Sequence, residues 1–163
     1  MEITDELRQA TGKFLQTVSS FSEAELNKLP FKGSWTAAQV AEHVKKSNLG
    51  MINTLSSEGG AIDRDPAARV QELKDIFLNF EIKLQSPQFI IPAEGEYKKA
   101  PLVKDLHASI EQILELSRTV NRQEGIKHPI FGEITRQEIL HFIVYHTQRH
   151  LRQLNNIASL VKA

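Results

Sequence analysis

The chain has 163 residues, which is enough for one domain with its own core and too few for two comfortable domains. It contains no cysteine, so disulfides, thiolate metal sites and cysteine nucleophiles are excluded, and any transition metal must be held by His, Asp or Glu. Twenty Lys and Arg balance twenty Asp and Glu without forming a basic stripe, so no nucleic-acid partner is expected.

The N-terminal residues are acidic and resemble a helix start, whereas a signal peptide would be basic and then apolar. No apolar run approaches the ~20 residues that a membrane-spanning helix needs. We therefore expect a cytoplasmic protein without a membrane partner, folded as a single domain over residues 1–163.

The first predicted helix extends from about Thr4 to Ser20. Its apolar residues recur at spacings of three and four, which is typical of an amphipathic helix: Ile3, Leu7, Ala10, Phe14, Val18 and Phe21. A short polar turn element follows over residues 22–32, where Pro30 prevents a helix from continuing.

The second predicted helix, from about Ala37 to Leu55, begins with a capping box. Thr36 is placed to cap it, and the side chain of Gln39 can reach back to the cap. Beside its apolar line the helix carries a line of small or polar residues: Gln39, His43, Ser47, Gly50 and Thr54. Because such residues pack poorly as core, we interpret this line as a cavity wall with His43 at its centre.

A long connection should separate the second and third long helices. Pro66 suits the first turn of a short helix, which the apolar period extends to about Lys83. Residues 85–101 contain prolines and a glycine and are expected to be extended. This crossover is long enough for a lid or for a homodimer contact through its apolar residues 89–91, and the sequence leaves both interpretations open.

Two more long helices are predicted, from about Leu102 to Asn121 and from the cap at Thr135 to about Leu160. Glu138, three residues after Thr135, completes a second capping box, and a tight apolar turn over residues 128–134 precedes it. Four long helices with the long connection after the second predict an all-α fold, namely a four-helix bundle whose crossover carries an extra short helix.

Three histidines are candidate metal ligands. His146 and His150 are four residues apart on the last helix, on the same face as the apolar residues Ile139, Ile143 and Ile157, so both rings should point inward. Such a pair also arises by coincidence. Together with His43 on the polar line of another helix, however, it predicts a site for zinc or nickel with one coordination position left open.

Other polar residues are weaker candidates. Gln39 and Gln153 lie one turn from the candidate ligands and could orient a histidine or bind substrate, although hydrogen bonding along a helix seam is an equal alternative. His141 and His107 are expected at the surface, and His128 in turn packing. No acidic residue is clearly aimed at the three histidines, which favours activation of a substrate thiol over a reaction that needs a separate base.

Two segments resemble the DinB superfamily, in which a Trp-Ser/Thr turn opens the helix with the first histidine and an HxxxHxxQ motif closes the site. The resemblance rests on Gly33-Ser34-Trp35-Thr36 with Glu42-His43-Val44, and on residues 129–132 with the run Tyr145-His146-Thr147-Gln148-Arg149-His150-Leu151-Arg152-Gln153-Leu154. The order of the helices agrees as well, so the resemblance covers essentially the full length. It implies a divalent metal at His43, His146 and His150.

The family includes thiol-dependent S-transferases, YfiT-like hydrolases and proteins with no assigned activity. We therefore expect a metal-dependent enzyme, a thiol S-transferase or a hydrolase, that acts on a small-molecule substrate and uses either water or a low-molecular-weight thiol. The alternative is a non-catalytic metal-binding or stress-response protein, whose site should be closed by a fourth protein ligand. Related bundles often dimerise, so a homodimer is a further expectation.

Overall fold

The structure is a computed structural model that describes residues 1–162. In these residues it contains six α-helices, a 3₁₀ turn at Gln88–Ile90 and one β-hairpin. The helices are α1 (Ile3–Ser20), α2 (Glu23–Leu26), α3 (Ala37–Ser56), α4 (Val70–Phe77), α5 (Lys99–Thr119) and α6 (Arg136–Val161). The four long helices α1, α3, α5 and α6 confirm the predicted four-helix bundle, and α4 is the extra helix of its crossover.

The long helices pack side by side around one core. Helix α6 contacts both α1 and α3, and α5 contacts the same two helices from the other side. The predicted apolar face of α1 is buried, with Leu7, Phe14 and Val18 fully enclosed, and Ile139 and Ile143 of α6 are equally buried. None of the helices within residues 1–162 is both long and apolar enough to cross a membrane.

Both predicted capping boxes are present and fix where two long helices begin. The hydroxyl of Thr36 accepts a hydrogen bond from the backbone N–H of Gln39, whose side chain accepts one from the N–H of Thr36. Thr135 and Glu138 form the same reciprocal pair at the start of α6. These local bonds satisfy backbone donors that the first turn of a helix leaves free.

Helix α4 is shorter than the prediction that started at Pro66 and ended near Lys83. At its start, the backbone N–H of Arg69 donates to the carboxylate of Glu138, and the helix begins only at Val70. At its end, the guanidinium of Arg149 binds the backbone carbonyl of Phe77, the last helical residue, and the carbonyls of Asn79 and Ile82 after it. Contacts with α6 therefore set both ends of α4.

Two further boundaries differ from the prediction. Helix α5 begins at Lys99, before the predicted start at Leu102. Pro101 is tolerated in its first turn, where the missing N–H of proline costs no helical hydrogen bond. The predicted apolar turn is the end of an antiparallel hairpin, β1 (Gly125–His128) and β2 (Gly132–Thr135). Gly132 has a φ of 68°, in the left-handed region that glycine adopts readily.

Candidate metal centre

Three buried histidine side chains meet between α3 and α6. Nε2 of His43 lies 3.1 Å from Nε2 of His146 and 3.0 Å from Nε2 of His150, and the latter two atoms are 3.2 Å apart. His146 and His150 are one turn apart on α6, and His43 faces them from the middle of α3. The structure thus brings together the three residues that the sequence singled out, as a group that could hold a metal ion.

Hydrogen bonds at the far side of two rings fix where their protons lie. Nδ1 of His43 is 2.9 Å from the carbonyl oxygen of Ile90, and Nδ1 of His150 is 2.8 Å from Oε1 of Gln153. Since both oxygens are acceptors, both Nδ1 atoms donate, and a neutral imidazole has only one N–H. Nε2 of each ring therefore carries a lone pair, and the two lone pairs face each other.

Burial keeps these imidazoles neutral. It is the main cause that lowers the pKa of His43, only partly offset by the Ile90 carbonyl. The pKa of His146 falls well below its usual value through burial and through the nearby His150, His43 and Arg149. Burial and His43 lower the pKa of His150 to about 3, although the bond to Gln153 acts in the opposite direction. Neutral imidazole is the form that binds metals.

The donor set fits a divalent transition-metal ion. Nitrogen ligands at 2.0–2.1 Å around a tetrahedral zinc would be about 3.3 Å apart, close to the spacings of 3.0–3.2 Å between the three Nε2 atoms. Lone pairs that face one another in a buried site repel unless a cation lies between them. Imidazole nitrogen suits zinc and nickel alike, so the residues do not select between the two.

A cavity of about 230 Å³ adjoins the three histidines. Its walls are mainly apolar and come from α3, α4, the crossover, the hairpin and α6. They include Met51, Phe77, Leu84, Pro87, Phe89, Ile90, Ile130, Phe131 and Phe142. His43, Ser47 and Gly50 of the predicted polar line on α3 contribute to the wall, whereas Gln39 and Thr54 of that line do not.

The two glutamines have different positions. Gln153 contacts His150 directly, as described above. The Oε1 atom of Gln39 accepts the N–H of Thr36 in the capping box, and its amide nitrogen lies 3.5 Å from the carbonyl oxygen of Ala93, so its polar atoms bind no histidine. Of the alternatives considered for Gln39, the structure shows hydrogen bonding within the capping box.

The remaining histidines lie outside the three-histidine group. His107 is exposed, as expected. His141, expected at the surface, is half-buried, and its Nδ1 lies 2.9 Å from the carbonyl oxygen of Gln137. Nδ1 of His128 accepts hydrogen bonds from the backbone N–H groups of Ile130 and Phe131, which is turn packing as predicted. His128 also lines the cavity.

Sequence reasoning missed Arg149, which also lines the cavity. Its guanidinium binds the carbonyls of Phe77, Asn79 and Ile82 and so attaches the crossover to α6 beside His150. Together with the Ile90 carbonyl on His43, these bonds place the crossover over the histidines. The sequence shows that Arg149 directly precedes His150. No periodic pattern, however, can identify backbone carbonyls far along the chain as the partners of this arginine.

Comparison with known proteins gives consistent matches along the chain. The sequence profile of the DinB superfamily matches residues 6–154. The uncharacterized protein YuaE of Bacillus subtilis (strain 168) is 23% identical over 166 residues, covering 99% of each chain. YfiT from Bacillus subtilis, described as a probable metal-dependent hydrolase with an unusual four-helix bundle topology, superposes with a TM-score of 0.59 at 20% identity, covering 96% of this chain and 84% of YfiT.

A second solved structure, the four-helix bundle protein TT2238, superposes with a TM-score of 0.57 at 21% identity and covers 95% of this chain and 97% of its own. At these identities the two structures establish the shared fold. They agree with the four-helix bundle described above.

Proposed function

The chain belongs to the DinB superfamily, and from that membership and the site's geometry we propose that it is a metal-dependent enzyme. His43, His146 and His150 would hold one divalent ion, zinc or nickel. One observation carries the proposal: three buried, neutral imidazoles converge through Nε2 beside a cavity large enough for a small molecule.

The cavity supports an enzyme over a non-catalytic metal-binding protein. A structural zinc site is normally closed by four protein ligands, whereas a catalytic site has three and leaves one position for water or substrate. Within residues 1–162, the candidate group consists of three histidines and no carboxylate. The site therefore has the composition expected of a catalytic centre.

The chain's own residues would hold and orient the site. The Ile90 carbonyl and the Gln153 amide oxygen fix the rings of His43 and His150, so that Nε2 of each faces inward. The phenyl rings of Phe77, Phe131 and Phe142 give the space beside the ion an apolar wall. A bound ion would supply Lewis-acid chemistry and lower the pKa of a water molecule or a substrate thiol.

Hydrolysis and thiol transfer are the two candidate reactions. Hydrolysis is supported by the fold shared with YfiT, described as a probable metal-dependent hydrolase. Thiol transfer is supported by a feature of the described residues: neither Asp nor Glu lines the cavity, so no carboxylate is placed to act as a general base. A thiol whose pKa is lowered needs no such base.

Metal content measured on protein purified without an affinity tag tests the proposal. We expect about one equivalent of zinc or nickel in the wild type and almost none in His146→Ala. His141→Ala is the matched control, because His141 lies on the same helix and outside the three-histidine group. If the wild type cannot retain zinc, nickel, manganese or iron even after reconstitution, the proposed function is wrong.

The same metal-loaded protein separates the two reactions. Hydrolysis of p-nitrophenyl acetate would support the hydrolase. Metal-dependent addition of cysteine or glutathione to monochlorobimane would support the transferase. A homodimer formed through the crossover stays a prediction, which sedimentation velocity can test.

A further inference from the structure

Two buried serines differ in how their hydroxyl groups are satisfied. Ser109 of α5 is 2% exposed; its Oγ donates to the carbonyl of Leu106 and lies 3.1 Å from Nδ2 of Asn48. Ser47 of α3 is 4% exposed and lines the cavity, and no group of residues 1–162 forms a hydrogen bond with its hydroxyl. It is not one of the fully enclosed side-chain atoms without a partner, which in these residues are Oε1 of Glu42 and Oγ1 of Thr147. Its hydroxyl therefore opens to the cavity, where a water molecule or a polar atom of a ligand can satisfy it.

The position of Ser47 shows where such a partner would lie. It is one turn after His43 on the same face of α3, and it lines the cavity that adjoins the histidines. A molecule whose reacting group lies at the three Nε2 atoms occupies the same cavity as this hydroxyl. Ser47 is thus placed to bind the part of a ligand beside its reacting group.

The middle of the cavity suits an apolar body. Phe142 stacks on His146 with ring centroids 5.1 Å apart, and Phe77 and Phe131 pack edge-on against Phe142 at 4.9 and 5.0 Å. Arg149 also lines this region, but its guanidinium binds three backbone carbonyls of the crossover. The dominant interaction available to a ligand here is contact with aromatic rings.

A hydrogen-bond donor lies at the other end of this aromatic wall. The ring of His128 is 5.1 Å from that of Phe131, so the wall extends from His146 through Phe142 and Phe131 to His128. Nδ1 of His128 accepts two backbone N–H groups. The single proton of the neutral ring is therefore on Nε2, which can donate to a ligand.

We propose that the cavity binds an elongated, mostly apolar substrate with an aromatic or branched aliphatic body, an inference that rests on the proposed function. Its reacting group lies at the three histidines, and the hydroxyl of Ser47 binds the polar atom next to that group. The Nε2–H of His128 binds an acceptor at the opposite end. Substrates that consist of a small polar group alone would use only part of the site.

Hydroxamic acids, which bind zinc through two oxygens, can test this inference by titration calorimetry on zinc-loaded protein. We expect 4-phenylbutanohydroxamic acid to bind at least tenfold more tightly than acetohydroxamic acid, because its phenyl ring fills the apolar body of the cavity. A carbamoyl group at position 4 of the phenyl ring adds an oxygen that can accept the Nε2–H of His128, so it should strengthen binding about fivefold. His128→Phe removes the donor and should remove this gain.

Two pairs of variants supply matched controls. Ser47→Ala should weaken the binding of acetohydroxamic acid and of 4-phenylbutanohydroxamic acid about fivefold, without lowering Tm or zinc content. Ser109→Ala should lower Tm and leave the affinity for both compounds unchanged. Gly50→Leu should remove the advantage of the phenyl compound, since a side chain there enters the cavity wall. Gly12→Leu places the same side chain on the exposed face of α1 and should not.

The outcomes distinguish the two proposals. Zinc retention with equal affinity for the phenyl and acetyl compounds would overturn the elongated apolar substrate and leave the metal enzyme standing. A fall in Tm for Ser47→Ala with unchanged hydroxamate affinity would show that Ser47 is structural, which also contradicts the inference. Failure to retain zinc, nickel, manganese or iron after reconstitution would overturn both.

Discussion

Helix α6 carries two buried polar clusters that are satisfied in opposite ways. At its first turn, the enclosed carboxylate of Glu138 accepts hydrogen bonds from both guanidinium NH₂ groups of Arg64 and from the backbone N–H groups of Thr135 and Arg69. About two and three turns further along the same helix, the Nε2 atoms of His146 and His150 lie 3.1 and 3.0 Å from Nε2 of His43. Between His43 and His150 neither Nε2 carries a hydrogen to share.

This difference separates structural from functional burial of polar groups. The Glu138 cluster fills the capacity of its carboxylate with donors from the chain itself, which is how a fold stabilises a buried charge. The histidine cluster directs lone pairs at one point beside a cavity, an arrangement that gains stability only when a cation is present. The four predictions below test this contrast from the largest effect to the smallest.

Acid should destabilise the metal-free protein through the histidines. Their pKa values are lowered in the folded state, so below about pH 6.5 the unfolded chain binds protons that the folded chain does not, and stability falls as the pH falls. Each histidine that remains neutral when folded should cost about 2 kcal/mol between pH 7 and pH 5, or about 4 kcal/mol for His146 and His150 together. Urea unfolding at a series of pH values measures this.

The control for the acid effect is the double variant His146→Leu and His150→Leu. Leucine has no proton to gain, so the dependence of unfolding free energy on pH should flatten over this range. Stability at pH 7 should be unchanged or higher, because two polar rings leave the interior. A pH dependence equal to that of the wild type would show that other groups cause the acid effect.

Replacing Glu138 should test the satisfied cluster. Burial raises the pKa of Glu138, but hydrogen bonds from Arg64, Thr135 and Arg69 outweigh it and hold the pKa below its usual value. Glu138→Ala removes these bonds and the helix cap, so a loss of about 3 kcal/mol or more is expected in urea unfolding. Zinc content of the folded fraction should not change.

A second carboxylate on the same arginine provides the matched control. Glu133 lies 3.2 Å from Arg64, but its side chain is 56% exposed, whereas that of Glu138 is 0% exposed. Exposed ion pairs contribute little, so Glu133→Ala should cost less than about 1 kcal/mol. Equal losses for the two variants would contradict the structural role assigned to the buried cluster.

The fold could be predicted where the signals are local. The capping boxes at Thr36 and Thr135 and the apolar spacing of the long helices depend on residues three or four apart, and these elements were predicted within a few residues. The sequence does not predict the hairpin, because each of its strands is only four residues long and carries too little alternation to be recognised.

The candidate site shows the same limit. His146 and His150 share a helix face, and His43 lies on a visibly polar line, so the sequence could place all three inward. Of the hydrogen bonds that orient these rings and hold the crossover over them, only the one from Gln153 could be anticipated from the sequence. Gln153 is three residues from His150, but the Ile90 carbonyl and the carbonyls bound by Arg149 are separated from their partners by 47 to 72 residues.

The two glutamines near the histidines should respond differently to removal of their amide groups. Gln153→Leu frees the His150 ring to rotate and to lose its Nδ1 donor bond, so zinc affinity should fall about tenfold to a hundredfold. Gln39→Leu should leave zinc affinity unchanged and lower stability by about 1 kcal/mol, because it breaks only the capping box. Competition with a chromophoric chelator measures zinc affinity, and equal losses would contradict the assignment of Gln153.

Gly50 provides the smallest test, of whether the space beside the histidines is open. Glycine inside a helix costs about 0.5–1 kcal/mol relative to alanine, and a Cβ added at Gly50 or at Gly12 would meet no atom within 4 Å. Gly50→Ala and Gly12→Ala should therefore stabilise the protein equally, by about that amount, in urea unfolding. If the wall at Gly50 were closely packed, its alanine variant would gain less than the Gly12 variant, because the methyl group would displace neighbours. Equal gains would mean that the chain leaves room beside the histidines at a cost in helix stability, which is the opposite of its close packing around Glu138.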